Sequence, residues 1–277
     1  MRNFILFLLA TTVLITEAYG AWTTLAPGME LGTFDAKNPS PVGDSRITIL
    51  RIDPKLWELV LIGKSMNGEL ENKTTKDWCE SHNLTAAINA GMFDADYTTH
   101  VGYLGSKGHV NSSHVNKYMS VAAFDPKKGK GLPEFRIFDL DDPRVTMDNI
   151  LEDFSSVVQN LRLIKRPGEN RWSQQHSMWS EAALGEDSSG RILFIFCKSP
   201  FTMYDLNQEL LSLRIGLVAA QHLEGGPEAQ LHLRLGNMIH EMFGSYETSF
   251  KENDDNAAPW PVPNILGVRP RVPKANQ

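Results

Sequence analysis

The 277-residue chain has only two cysteines, Cys79 and Cys197, and no Cys-x-x-Cys pair. It also lacks a His-x-x-x-His spacing, so the usual ligand pattern of a zinc site is absent. No Gly-x-Ser-x-Gly stretch occurs, which removes the nucleophile elbow of the common serine hydrolases. Lys and Arg number 27 against 33 Asp and Glu, and the formal charge is −6 with no extended basic run. That balance argues against nucleic acid as a partner. Beyond the first twenty residues, no segment is apolar over the roughly 20 residues that cross a bilayer, so no stable membrane insertion is expected. The two cysteines lie far apart in sequence. One disulfide and two buried thiols fit equally well, and geometry must decide.

The start of the chain, MRNFILFLLATTVLITEAYG, has basic Arg2, an apolar stretch from Phe4 to Ile15, and small residues at Ala18 and Gly20. This is the pattern of a secretory signal peptide over residues 1–20, cleaved near Gly20. The remainder, 21–277, is then expected outside the cytoplasm, secreted or periplasmic. Without Arg2 and Glu17 its charge is still −6.

Along the mature chain, SRITILRID and WELVLIG are rich in β-branched and aliphatic residues. Asp53, Pro54 and Lys55 punctuate them, which predicts a hairpin. TTKDWCESH starts with helix-capping residues, VTMDNILEDF reads as a second short helix, and Thr202 and Asp205 are spaced as the start of a third. TAAINAGMF, VGYLG, SVAAF, EFRIFDL, SSVVQNLRLI, RILFIFC, GLVAAQHL and AQLHLRL read as strands, RILFIFC being the most apolar and therefore central. Lys165 to Ser180 reads as a long loop, and the proline-bearing tail, about 254–277, as irregular. Many strands, few helices and no regular alternation predict a single α+β domain with a large twisted mixed β-sheet flanked by a few helices.

Three places interrupt the strand pattern with reactive side chains. AINAGMFDAD ends a strand at Asn89, turns at Gly91 and delivers Asp94 and Asp96. QNLRLIKR and NRW bring Gln159, Arg162, Arg171 and Trp172 close in sequence, and a guanidinium fork suits phosphate or carboxylate. HLEGGPEAQL breaks an apolar run with Glu224, Gly225, Gly226 and Glu228. Glycine weakens a strand unless the backbone must bend or something must come close. A solvated turn would explain each place alone; their combination points to one site.

AINAGMF resembles the Asn-Gly-Gly-Phe-Phe motif of the phosphodiester glycosidase family, and HLEGGPEAQL resembles its Leu-Asp-Gly-Gly-Gly-Ser motif. WSEAALG, RILFIF and TMYDLNQELLSL follow in the family's order, so the resemblance runs from about Arg46 to Leu233. The resemblance implies a glycosidase acting on a sugar-1-phosphodiester or related glycoconjugate, as does the family's member that uncovers N-acetylglucosamine-capped phosphates. Three positions depart from it. Ala90 replaces a glycine, Glu224 stands where Asp is usual, and Glu181 occupies the place of an arginine.

Cleaving such a bond builds oxocarbenium character at the sugar carbon, which glycosidases flank with two carboxylates. Glu224 is the leading base or nucleophile candidate, Asp94 the second carboxylate, and Asn89 an orienting amide. Arg162 and Arg171 would clamp the phosphate, while Trp172 and Trp179 could stack on sugar. Gly91, Gln159, Gly225, Gly226 and Glu228 complete the expected substrate-binding set. No cofactor is expected, although Asp94, Asp96 and His100 could together offer a structural Ca²⁺ or Mg²⁺ site. The expected partner is a carbohydrate or sugar-phosphate substrate. The alternative reading, favoured by Glu181, is a non-catalytic secreted protein of the same fold that binds polysaccharide or cell wall.

Overall fold

The structure, a computed structural model, describes residues 22–66 and 68–272. The expected signal peptide lies outside these described residues. Strands fall into three sheets. From edge to edge the first runs Trp22–Ala26, Met29–Asp35, Arg46–Ile52, Ile192–Phe201, Trp179–Asp187, Leu217–Gly225, Arg162–Lys165 and Glu169–Asn170. The second runs His109–Ser112, Leu104–Ser106, Phe154–Asn160, Ser120–Pro126 and Phe135–Asp139. The third runs Met238–Phe243, Gln230–Leu235, Ala86–Asn89, Asn264–Pro270 and Trp57–Gly63. The class is α+β in one domain, as expected. The β structure is divided among three sheets, and the pairings between these strands are antiparallel.

Inward-facing side chains of all three sheets share one core, including Leu50, Leu184 and Phe194 of the first, Ala122, Phe124 and Val158 of the second, and Ile88, Leu231 and Leu266 of the third. Burying each such Leu, Ile or Phe contributes roughly 1.5–3 kcal/mol. Strand alternation sends intervening residues to the outer faces, and each outer face is covered by one helix. Met203–Ser212 places Leu206 and Leu210 with Ala183 and Ile195. Thr75–Ser81 places Trp78 and Cys79 with Val60 and Ile265. Met147–Asp153 places Ile150 with Val121 and Val157. The third helix begins at its expected cap, Thr202, while the first is capped by Thr74 rather than by the expected Thr75 or Asp77. The hydroxyls of Thr74, Thr146 and Thr202 accept from the N–H groups of Asp77, Asn149 and Asp205. Each cap stabilises its helix by about 1 kcal/mol.

Two sequence readings are corrected. Arg46–Ile52 and Trp57–Gly63 do not form a hairpin: the Asp53–Leu56 turn carries the chain from the first sheet to the third. The first strand pairs with Met29–Asp35 and Ile192–Phe201, the second with Asn264–Pro270. The proline-bearing tail is also not irregular throughout, since Asn264–Pro270 is a buried strand between Ala86–Asn89 and Trp57–Gly63. The long loop of 165–180 is interrupted by the short strand Glu169–Asn170 and ends in the strand that starts at Trp179.

Cys79 and Cys197 are both free and buried, in separate clusters, so the disulfide alternative falls. Burial pushes the Cys79 thiol up to about 12 and raises that of Cys197 as well, which leaves both as inert core groups. Among the described residues no helix is long and apolar enough to cross a membrane.

Candidate active site

The Glu-Gly-Gly-Pro-Glu break marks a change of sheet. Leu217–Gly225 belongs to the first sheet and Gln230–Leu235 to the third, with a single 3₁₀ turn, Gly226–Glu228, between them. Gly226 has φ +59, and a Cβ there would lie 2.6 Å from Glu247 Oε2. A Cβ on Gly225 would meet Trp179 Cδ1 at 2.9 Å. Glycines are therefore required by close approach, as strand interruptions suggest. Asn89, buried at the end of its strand, holds the turn from the other side. Its Nδ2 donates to the Glu228 carbonyl at 2.9 Å, and its Oδ1 accepts from Gln230 N–H at 2.7 Å.

The turn presents its carboxylates beside a buried ion pair. Glu181 Oε1 lies 2.7 Å from His222 Nδ1, and Glu181 Oε2 accepts from Trp179 Nε1 at 2.9 Å. Burial alone would lower the proton affinity of His222. The adjacent Glu181, with Glu224 and Glu247 farther out, more than offsets this and raises it, while burial likewise raises Glu181. Glu224 is half-buried, and its carboxyl is pushed up to about 8, first by desolvation and then by Glu228 and Glu181, against the opposing pull of His222 and the Gly225 N–H. Glu228 is pushed up to about 7 by burial and by Glu247. Burial also raises Glu247. Three acidic side chains, Glu181, Glu224 and Glu247, thus share the one imidazole of His222, and Glu224 favours its protonated form at neutral pH.

A second polar group adjoins this one through the backbone. His222 N–H donates to the Leu161 carbonyl at 2.8 Å. The preceding residue, Asn160, donates its Nδ2 to the Ala90 carbonyl at 2.8 Å and meets His100 Nε2 at 3.2 Å. Gly91, φ +150, leaves room for both, since a Cβ there would collide with Asn160 Oδ1 and His100 Nε2.

The predicted residues therefore divide into two groups. Glu224, Gly225, Gly226 and Glu228 lie at one strand end and the turn that follows it, Asn89 pins that turn from the neighbouring strand, and Gly91 lies against Asn160 and His100. Gln159 is a buried scaffold residue, its amide donating to the Asn116 and Tyr118 carbonyls. Arg162 pairs with Asp141 at 2.8 Å and Asp139 at 3.4 Å. Arg171 lies on the surface, 3.5 Å from Glu169. Trp172 is half-buried, donating from Nε1 to the Arg162 carbonyl at 2.7 Å. Asp94 is exposed, its Oδ1 accepting from Ala95 N–H in a tight turn. Asp96 caps the Thr98 and Thr99 N–H groups while His100 is buried, and among the described residues no three His, Cys, Asp or Glu side chains are grouped to hold a metal ion.

His222 and Glu247 did not figure in the predicted site, and Glu181 figured only as a departure from a motif. A signal existed for two of them. His222 precedes Glu224 by two residues, and Glu181 follows Trp179 by two, so each pair shares a strand face. Glu247 carries no comparable mark.

A family model for phosphodiester glycosidases matches residues 82–269. No curated protein matches. Among solved structures, the chain is similar to the catalytic domain of zebrafish N-acetylglucosamine-1-phosphodiester α-N-acetylglucosaminidase, described as auto-inhibited by its pro-peptide. The TM-score is 0.61 at 14% identity, over 90% of this chain and 86% of that one. A hypothetical protein from Synechocystis is similar at TM-score 0.56 and 14% identity, over 91% of this chain and 64% of that one. At such identity these likenesses show the fold alone.

Proposed function

The chain belongs to the phosphodiester glycosidase family, and from that premise we propose that it is a secreted or periplasmic glycosidase cleaving the C1–O bond of a sugar-1-phosphodiester or related glycoconjugate. Family membership supports a glycosidase-type activity; the substrate and the roles below are inferences from the site. The observation that carries them is the pair of carboxyls, Glu224 and Glu228, presented on one turn pinned by Asn89 and both pushed towards neutral pKa.

In this reading Glu224 is the acid. It gives its proton to the departing oxygen as the C1–O bond breaks, a role suited to a carboxyl still protonated at neutral pH. Glu228, ionised in a large fraction of molecules at pH 7, takes the proton of the water that adds to C1. This revises the expectation that Glu224 serves as base or nucleophile, because desolvation favours its neutral form. Arg162 and Arg171, engaged with aspartates and Glu169, leave the charge of a leaving phosphate to His222, the basic group beside Glu224 whose proton affinity Glu181 raises. Glu181 orients that imidazole and favours its protonated form.

The test is Glu224→Gln assayed on a panel of sugar-1-phosphodiesters and aryl glycosides, with circular dichroism confirming the fold. Loss of turnover with an intact fold is expected. Turnover near the parent's rate would remove Glu224 from the chemistry.

A further inference from the structure

Phe250 and Trp260 are 61% and 38% exposed, yet their rings touch edge to face with centroids 5.9 Å apart. Single exposed apolar side chains need no explanation; two large aromatic rings held together form an apolar patch, the kind of surface at which a ligand docks. Their anchoring ties them to the carboxylate site. The Trp260 carbonyl accepts from Gln230 Nε2, the same nitrogen that donates to the Glu228 carbonyl at 3.3 Å. The Phe250 N–H donates to the Glu247 carbonyl at 3.2 Å, and Glu247 itself bridges to the backbone of Trp179. Both rings therefore hang from backbone that also positions acidic side chains of the site.

We propose that Phe250 and Trp260 form a saccharide-binding platform at the rim of the site, taking an uncharged sugar unit of the substrate by its C–H face. This rests on the reading of Glu224 and Glu228 as the catalytic pair. The rings meet edge to face and both stay exposed, and a flat aromatic surface is what the C–H face of a pyranose covers best. The charge nearby selects against anionic sugars. The segment between the rings stays net acidic: Asp255 pairs with Lys251 at 2.6 Å and Asp254 with Lys198 at 3.0 Å, while Glu252 accepts from the Ser249 N–H at 2.7 Å. Sugar hydroxyls, as donors, suit such carboxylates. The platform also replaces the stacking faces expected from sequence: Trp172 is fixed to the Arg162 carbonyl, and Trp179 to Glu181.

The full chain carrying Glu224→Gln, which prevents turnover of bound sugar, is titrated calorimetrically with chitotetraose, cellotetraose, maltotetraose and tetragalacturonate. At least one neutral tetrasaccharide binds, and tetragalacturonate binds at least tenfold more weakly. Adding Phe250→Ala or Trp260→Ala weakens the neutral ligand on the order of tenfold without moving the melting temperature, while Trp260→Phe keeps most of the affinity. The platform is overturned if no neutral tetrasaccharide binds, if both alanine variants bind like their parent, or if the anionic sugar binds best. Lost turnover in Glu224→Gln without saccharide binding removes the platform and keeps the catalytic pair. Ring-dependent binding with retained turnover removes the catalytic pair and keeps the platform as a binding surface.

Discussion

Replacing Glu224 by glutamine is expected to stabilise the protein as it removes activity, and the gain should depend on pH. The carboxyl is raised from its ordinary 4.5 to about 8 in the folded chain. Below about pH 4.5 it is protonated whether the chain is folded or not, so the substitution is then nearly neutral. As pH rises, the unfolded chain releases the proton while the folded chain keeps it, and folding loses about 1.4 kcal/mol per pH unit. Across the interval to pH 8 the loss reaches about 4–5 kcal/mol, and it stays constant above that. Glutamine carries no charge at any pH and escapes this cost. Urea unfolding of both proteins at pH 5, 6, 7 and 8, with linear extrapolation, gives the comparison. Less than about 1 kcal/mol should separate them at pH 5. At pH 8 the variant should lead by several kcal/mol, on the order of 10 °C in melting temperature for a chain of this size. Parallel pH curves would show that desolvation does not hold the Glu224 proton, and the assignment of this residue as the acid would fall with it.

Three other perturbations probe the frame of the site. Asn89→Ala leaves the buried Gln230 N–H without its partner and removes one of two donors to the Glu228 carbonyl; a loss of about 1–3 kcal/mol is expected in the same unfolding assay, with turnover falling more than substrate affinity. Gly226→Ala meets both an unfavourable φ of +59 and the Glu247 carboxylate, whereas Gly236→Ala meets the same φ in open space. Both should lose about 1–2 kcal/mol from the backbone, and the excess measured for Gly226→Ala isolates the contact with Glu247. Arg162→Ala breaks the pairs with Asp139 and Asp141; steady-state kinetics should show kcat/KM within about twofold of the parent, and a loss of tenfold or more would return Arg162 to the site.

How much of this was legible in the chain depends on the range of the interaction that fixes each feature. The three helices were readable because a threonine cap and an apolar stripe lie within one turn of each other, as at Thr202, Asp205, Leu206 and Leu210. The partner of a strand is not set locally. Ser45 to Gly63 looks like a hairpin because its turn chemistry is right, yet Arg46–Ile52 finds complementary apolar faces in Met29–Asp35 and in Ile192–Phe201, well over a hundred residues away. Asn264–Pro270 was hidden for a related reason. The prolines around it suggest irregular chain, but the one inside the strand, Pro270, stands at its last position, where the chain leaves the sheet.

The same distinction governs the site. Asn89 and Glu224 could be singled out because glycines beside them advertise a backbone that must bend or admit a neighbour. The arginines misled because nearness in sequence says nothing about the face of a sheet. Arg162 pairs in register with Gln221, and Gln221 turns to Ser120 on the second sheet, whereas His222, the next residue, meets Glu181. Adjacent strand residues point to opposite faces, so once His222 and Glu224 are placed on one side, Gln221 and its register partner Arg162 belong on the other. That argument needs only the register between two strands, and it gives Glu181 a consistent place: its carboxylate meets a histidine two residues before Glu224, so the basic group beside Glu224 comes from its own strand.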